Sequence, residues 1–282
     1  MSIWTLYFDI AGRATEQSIS NEFFSIGGLV INTEDEENIR RFVVNKNIKK
    51  WKYASKTSLD GIINIISKWA IFAEVYQFRK TQPYWDQFWR KGENTYRDLL
   101  KVAEKEYKGS HKNRKLRIAR PANFLRSYLF SVSIGYLTHT CIKENKLSNI
   151  VNINGHKILK QNLVFDYDIT GKENQELFIY SLSLWPSITK MPEIFKIQPE
   201  LGTIKILRVT QDPNLLIVDN LAGVFQYIAK NKIILPHNNL SEKEVKSYAN
   251  KFVNLRNFNY KILDFKFEYP GLNYNFFLNK LN

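Results

Sequence analysis

Residues 3–10 read Ile-Trp-Thr-Leu-Tyr-Phe-Asp-Ile, and residues 23–32 read Phe-Phe-Ser-Ile-Gly-Gly-Leu-Val-Ile-Asn. The first run is aromatic and branched and is closed by Ala11-Gly12, the pattern of a strand that stops at a turn. Asp9 then stands at the carboxyl end of that strand. The second run follows after a short polar segment, so the two are expected to pair as an antiparallel hairpin. The adjacent Gly27 and Gly28 mark a bulge or a close approach of another backbone.

Outward from this pair, strand and helix patterns alternate. Glu34 to Glu37 is an acidic cluster ahead of a helical stretch from Asn38 to Asn47, where it complements the helix N-terminus or is simply solvated. Leu59, Ile62, Ile63, Ile66 and Trp69 recur at helical spacing, and Ile71 to Phe78 reads as a third strand. Residues 84–107 and Ala122 to Cys141 form two further helices. Asn152 to Asp168 reads as a hairpin turned at Asn154-Gly155, with Leu-Val-Phe-Asp-Tyr-Asp-Ile in its second strand. Lys172 to Leu184 suits a helix and Thr203 to Val209 a strand. Asp212-Pro213 then announces an apolar helix over residues 214–231. A final strand pair is expected in Tyr260 to Tyr269. The pattern predicts an α/β fold, a mixed sheet flanked by helices. It is read as one domain over residues 1–282, with a helical, basic insertion at about 83–145.

The chain has 282 residues, with 41 Lys and Arg against 27 Asp and Glu, hence a net charge of +14. A hydrophobic share of 44% excludes a disordered basic tail, so the charge sits on a folded body and an anionic partner, DNA or RNA, is expected. The densest positive stretch, Lys101 to Arg120, holds eight Lys or Arg and two Glu. Its end, Lys112, Arg114, Lys115, Arg117 and Arg120, is a candidate phosphate-contacting loop, or else a solvated surface run. The single cysteine, Cys141, excludes an intrachain disulfide framework and fits a reducing, cytoplasmic setting. Asp9 interrupts the apolar start before a signal-peptide core forms, and Ser127 to Ile142 carries too many polar residues to span a membrane. No membrane association is expected.

The four histidines show no metal-ligand spacing, and no phosphate loop, dinucleotide fingerprint or nucleophile elbow is present. The carboxylates say more. Asp9 ends the first strand, Asp166 and Asp168 lie two apart and so share a face, and Asp219 interrupts an apolar helix. Buried carboxylates are tolerated when paired or when they hold a cation. Three acidic points from two strands and a helix suit Mg2+ or Mn2+ and in-line attack on a phosphodiester. The plainer alternatives are a turn cap at Asp9, a solvated rim for one of Asp166 and Asp168, and a hydrogen-bonded structural acid at Asp219. The aromatics from Tyr84 to Trp89 read as core or, alternatively, as a patch for a protein partner.

These segments resemble the DUF3800 family, whose members are expected to have an RNase H-like fold. Tyr7-Phe8-Asp9-Ile10-Ala11-Gly12 stands where the family has a strand ending in Asp-Glu-Ser-Gly, and Phe24 to Val30 resembles its Gly-Gly strand. Leu163 to Asp166 is similar to its middle acidic strand, and Val218-Asp219-Asn220-Leu221-Ala222-Gly223 to its Ala-Asp-x-x-Ala-Gly helix. The resemblance implies a divalent-metal-dependent nuclease, with Asp9 bridging the metals, Asp166 or Asp168 completing one and Asp219 the other. It also implies a place in defence or a toxin-like system, alongside a protein partner. Two departures stand out: Ile10 replaces the family's Glu, and Lys50 reverses an acidic charge ahead of Trp51-Lys52-Tyr53. They leave a second reading, a catalytically degenerate RNase H-like module that binds nucleic acid or acts as a scaffold.

Overall fold

The structure is a computed structural model that describes residues 3–12, 23–81, 84–107, 117–118, 121–143, 150–153, 156–166, 197–229, 240–265 and 278–279. Its centre is a seven-stranded mixed sheet. Strand β1 (Trp4–Ala11) pairs antiparallel with β2 (Phe23–Asn32), which pairs antiparallel with β3 (Ala70–Lys80). Gly12 ends β1 with a φ of 98°, a conformation that needs glycine. The short β4 (Arg117–Ile118) lies outside the sheet, pairing with β9 (Leu278–Asn279). Next come β5 (Ile150–Ile153), β6 (His156–Asp166) and β7 (Ile197–Leu207). On the far side of β1, β6 lies parallel to it, with β7 parallel to β6 and β5 antiparallel to the start of β6. The core order β3-β2-β1-β6-β7, with only β2 reversed, is compatible with an RNase H-like fold.

Of the expected final strand pair, the described residues show one strand, β8 (Phe258–Phe265), added parallel to β3 at the sheet edge. Residues 266–269, the rest of that expectation, lie outside the described residues, as does the helix expected over 172–184. β5 and β6 do pair antiparallel, with Ile153 opposite His156, and the expected turn at 154–155 lies outside the described residues.

Helices cover both faces because alternate residues of the central strands are apolar on both sides. One layer holds α1 (Glu36–Asn45), α2 (Lys56–Trp69), α5 (Leu215–Ala229) and α6 (Glu242–Val253) over Tyr7, Leu29, Ala73 and Val164. The other holds α3 (Tyr84–Tyr107) and α4 (Pro121–Lys143) over Leu6, Phe8, Phe24, Tyr76 and Phe165. Trp85, Phe88 and Trp89 are buried in this second layer, which corrects the reading of Tyr84 to Trp89 as an exposed partner patch. Cys141 is also buried. Among the described residues no helix is long and apolar enough to cross a membrane.

Helix α5 lies closest to the sheet. A Cβ on Gly27 would come within 2.5 Å of the Val218 carbonyl oxygen, so the missing side chain lets the helix backbone rest on β2. Polar bonds fix its far end: Gln226 Nε2 donates to Phe23 O at 2.9 Å, and Gln77 Nε2 donates to Phe225 O at 3.0 Å.

Candidate functional site

The close docking of α5 is what brings the acidic residues together. Asp9 lies opposite Gly27 in the β1–β2 register, and Val218, which touches Gly27, precedes Asp219. The parallel register that opposes Phe8 to Phe165 puts Asp9 and Asp166 at adjacent places on neighbouring strands. The Asp9 and Asp219 side chains are hydrogen-bonded to each other, and the charge of Asp166 acts on Asp219. Asp9 is only 6% exposed and its Oδ1 accepts from the Ile10 N–H at 2.7 Å. Asp9, Asp166 and Asp219 therefore meet at the carboxyl ends of two parallel strands, where α/β folds place their ligand sites. Asp168 lies outside the described residues.

A fourth charged group enters from a loop. The segment before the 3-10 turn Trp51–Tyr53 is laid along α5 at three points. Lys49 O accepts from Asn220 Nδ2 at 2.8 Å, the Trp51 N–H donates to Asp219 Oδ2 at 2.5 Å, and the Trp51 ring occupies the space above Gly223 that a Cβ would need. Lys50, held between the first two contacts, places its Nζ 3.8 Å from Asp166 Oδ2. Its ammonium also acts on Asp219.

Burial pushes the Asp219 carboxyl above the ordinary carboxylate range, and the charge of Asp166 adds to the rise. The Trp51 N–H, the Lys50 charge and the bond to Asp9 oppose it.

The donor chemistry of the corner, three hard carboxylates, is of the type that Mg2+ or Mn2+ prefers. Its arrangement is not that of a metal site. Among the described residues no three His, Cys, Asp or Glu side chains are grouped to hold a metal ion. Asp9 and Asp219 bind each other, and Asp166 faces an ammonium. As arranged, these residues do not fit a divalent cation.

The chain matches no family model and no curated protein.

Of the basic candidates, Lys112, Arg114, Lys115 and Arg120 lie outside the described residues. Arg117 belongs to β4, paired with Asn279 of β9. The loop from Lys49 to Trp51 had a sequence signal in the charge reversal at Lys50. Its pinning to α5 through Asn220 and Gly223 had none, because those contacts join residues about 170 positions apart.

Proposed function

We propose that this chain is an RNase H-like nucleic-acid-binding protein in which a lysine, rather than a divalent metal, supplies positive charge at the acidic corner. The observation that carries the reading is the Lys50 ammonium, 3.8 Å from Asp166 and felt by Asp219, delivered by a loop pinned on both sides of it. The net charge of +14 supports a polyanionic partner, and the basic residues from Lys112 to Arg120 are proposed to contact its backbone. Binding by phosphate contacts falls steeply with salt, at a slope near −0.9 per phosphate neutralised on a DNA duplex. Affinity for single- and double-stranded DNA and RNA, measured by fluorescence anisotropy from low to high salt, is the test. Salt-sensitive binding without turnover is expected.

The three carboxylates Asp9, Asp166 and Asp219 leave a second reading, phosphodiester hydrolysis with Mg2+ or Mn2+, which would require Lys50 to withdraw from Asp166 and Asp9 to part from Asp219. The same nucleic acids incubated with each ion separate the two. Cleavage that disappears in EDTA and in Asp219→Asn would establish hydrolysis and refute the first reading. A place in defence or a toxin-like system, with a protein partner, remains a proposal resting on the resemblance to the DUF3800 family.

A further inference from the structure

Two buried polar features away from the acidic corner belong to the packing. Glu74 is fully buried but satisfied: Lys261 Nζ is 2.6 Å from its Oε1, Asn259 Nδ2 donates to the same oxygen at 3.0 Å, and the Tyr76 hydroxyl donates to its Oε2. This is a structural clamp between β3 and β8. The indole nitrogens of Trp85 and Trp89 have no hydrogen-bond partner among the described residues, but they are buried within the aromatic layer that α3 and α4 lay on the sheet and face no ligand.

The exposed charge is less evenly spread. Between Glu37 and Asp60 the chain carries seven Lys and Arg and no Asp or Glu. Four of the seven have anionic partners: Arg40 and Arg41 pair with Glu37, Lys56 with Glu244, and Lys50 faces Asp166. The other three, Lys46, Lys49 and Lys52, are exposed and make no ion pair among the described residues. All three stand on the segment that joins α1 to α2. That segment is fixed from end to end. Asn47 turns it out of α1 at a φ of 49°, and the Ile48 N–H donates to Val43 O at 3.1 Å. Ile48 and Ala54 are buried, and the Ser55 hydroxyl caps α2 by accepting from the Ser58 N–H at 3.2 Å. Between these anchors lie the three contacts with α5 described above. On this rigid frame the Tyr53 ring is left 49% exposed, with Lys52 Nζ 5.4 Å from its centroid.

We propose that residues 46–53 are a docking surface for a single strand of nucleic acid, with Lys46, Lys49 and Lys52 on its phosphates and the Tyr53 ring stacked on an unpaired base. Cations beside an exposed ring are the combination that holds single strands without reading their sequence. A duplex offers the ring no free base face, and an acidic peptide uses the lysines but not the ring. A lipid surface needs apolar side chains to insert, and over residues 46–53 Tyr53 is the one large hydrophobic side chain in the open, since Ile48 is buried and Trp51 lies over Gly223. Because the segment is already ordered, binding does not have to freeze its backbone. Chain connectivity fixes the relation to the acidic corner. Lys49 adjoins Lys50, and Tyr53 follows Lys50 by at most about 11 Å of backbone. A strand on Lys49 and Lys52 therefore passes beside Lys50, whose ammonium offsets the carboxylates that would otherwise repel it. The inference rests on the nucleic-acid reading for the class of its partner, and it adds the surface and the strandedness.

The experiment measures binding of the full chain to labelled oligo(dT), oligo(U) and a DNA duplex by fluorescence anisotropy across a range of salt, with phosphatidylserine vesicles in a separate arm. The variants alter exposed side chains, and thermal unfolding by circular dichroism checks that each is folded. Tyr53→Ala should weaken single-strand binding about tenfold with its salt slope unchanged, while Tyr53→Phe keeps the affinity and duplex binding is unaffected by either. The combined Lys46→Ala, Lys49→Ala and Lys52→Ala variant should make the single-strand salt slope shallower by about 2, at roughly 0.7 per phosphate contact. Single-strand affinity and slope unchanged in the folded variants overturn the inference while the nucleic-acid reading stands. Equal loss of single-strand and duplex binding in Tyr53→Ala overturns the assignment of the ring to an unpaired base. If the unaltered chain binds no nucleic acid, the reading itself fails, and vesicle binding lost in the same variants would make the surface one for anionic lipid and overturn the inference.

Discussion

Replacing Gly27 by alanine probes the contact that assembles the acidic corner. Gly27 has no positive φ, so the substitution is not strained by backbone conformation and its effect is purely steric. The added Cβ would lie 2.5 Å from the Val218 carbonyl oxygen and 3.1 Å from the Ala222 nitrogen. Ordinary carbon–oxygen contacts run at roughly 3.3–3.6 Å, so helix α5 must retreat by about 0.8 Å. Its obstacle is backbone, which cannot rotate aside as a side chain does. Overpacking of a well-packed core costs about 1–3 kcal/mol, and the upper end applies here. A loss of about 3 kcal/mol corresponds to a Tm lower by roughly 6–10 °C in a chain of this size. Gly28→Ala is the matched control, because its Cβ meets only the Leu137 and Phe8 side chains, at 3.0 and 3.1 Å. Urea and thermal unfolding of both variants, followed by circular dichroism, measure the difference. If Gly27→Ala is no more destabilising than Gly28→Ala, the close docking of α5 on β2 is wrong, and with it the cause assigned to the meeting of Asp9 and Asp219.

Other expectations concern charge and capping. Asp219 has a folded-state pKa above its unfolded value, so the folded protein holds the extra proton and stability falls as pH rises from about 4 through that pKa, by at most about 1.4 kcal/mol per pH unit. Asp219→Asn, which still accepts from the Trp51 N–H, should flatten that fall in unfolding curves taken from pH 4 to 8; an unchanged pH profile counts against the buried acid pair. Lys261→Met leaves Glu74 buried without its cation and should destabilise by about 3–5 kcal/mol, most of it recovered when Glu74→Gln is added. A double variant as unstable as the single one would show that packing, not charge, holds β8 on β3. Ser241→Ala breaks the capping box with Glu244 at the start of α6 and should cost about 1 kcal/mol in urea unfolding, with no change in nucleic-acid affinity.

Local pattern made most elements readable. Strand β1 and its hairpin partner, the third strand and both long helices follow from apolar spacing, with boundaries displaced by a few residues where tertiary pairing extends them; β3 runs on to Lys80 because β8 lines its edge. Helix α6 has a local signature as well: Ser241 and Glu244 stand at the spacing of a capping box. What β8 pairs with was not legible, since a strand pattern names its own period and not its neighbour. In the corner, the acids were visible as carboxylates in apolar runs, and Lys50 as an inverted charge. That the ammonium stays there depends on Asn220 and Gly223, whose roles exist only once α5 and the loop are packed. The buried tryptophans were legible as core. Their unpartnered indole nitrogens were not, because satisfaction of a donor is decided by three-dimensional neighbours.

The strand order also has a temporal consequence. Asp9 belongs to the first strand made, Asp166 to a strand paired with it from about 157 positions later, and Asp219 to a helix later still. At roughly 5–20 residues per second, between about 10 and 40 seconds of synthesis separate the first of these carboxylates from the last. Contacts of such long sequence separation also close slowly once the chain is complete. No amino-terminal fragment ending before residue 219 can contain the corner, and one ending before residue 258 lacks the strand that seals the edge beside β3. A chain organised in this way emerges strand by strand, and its acidic corner can close only after residue 219 has been made.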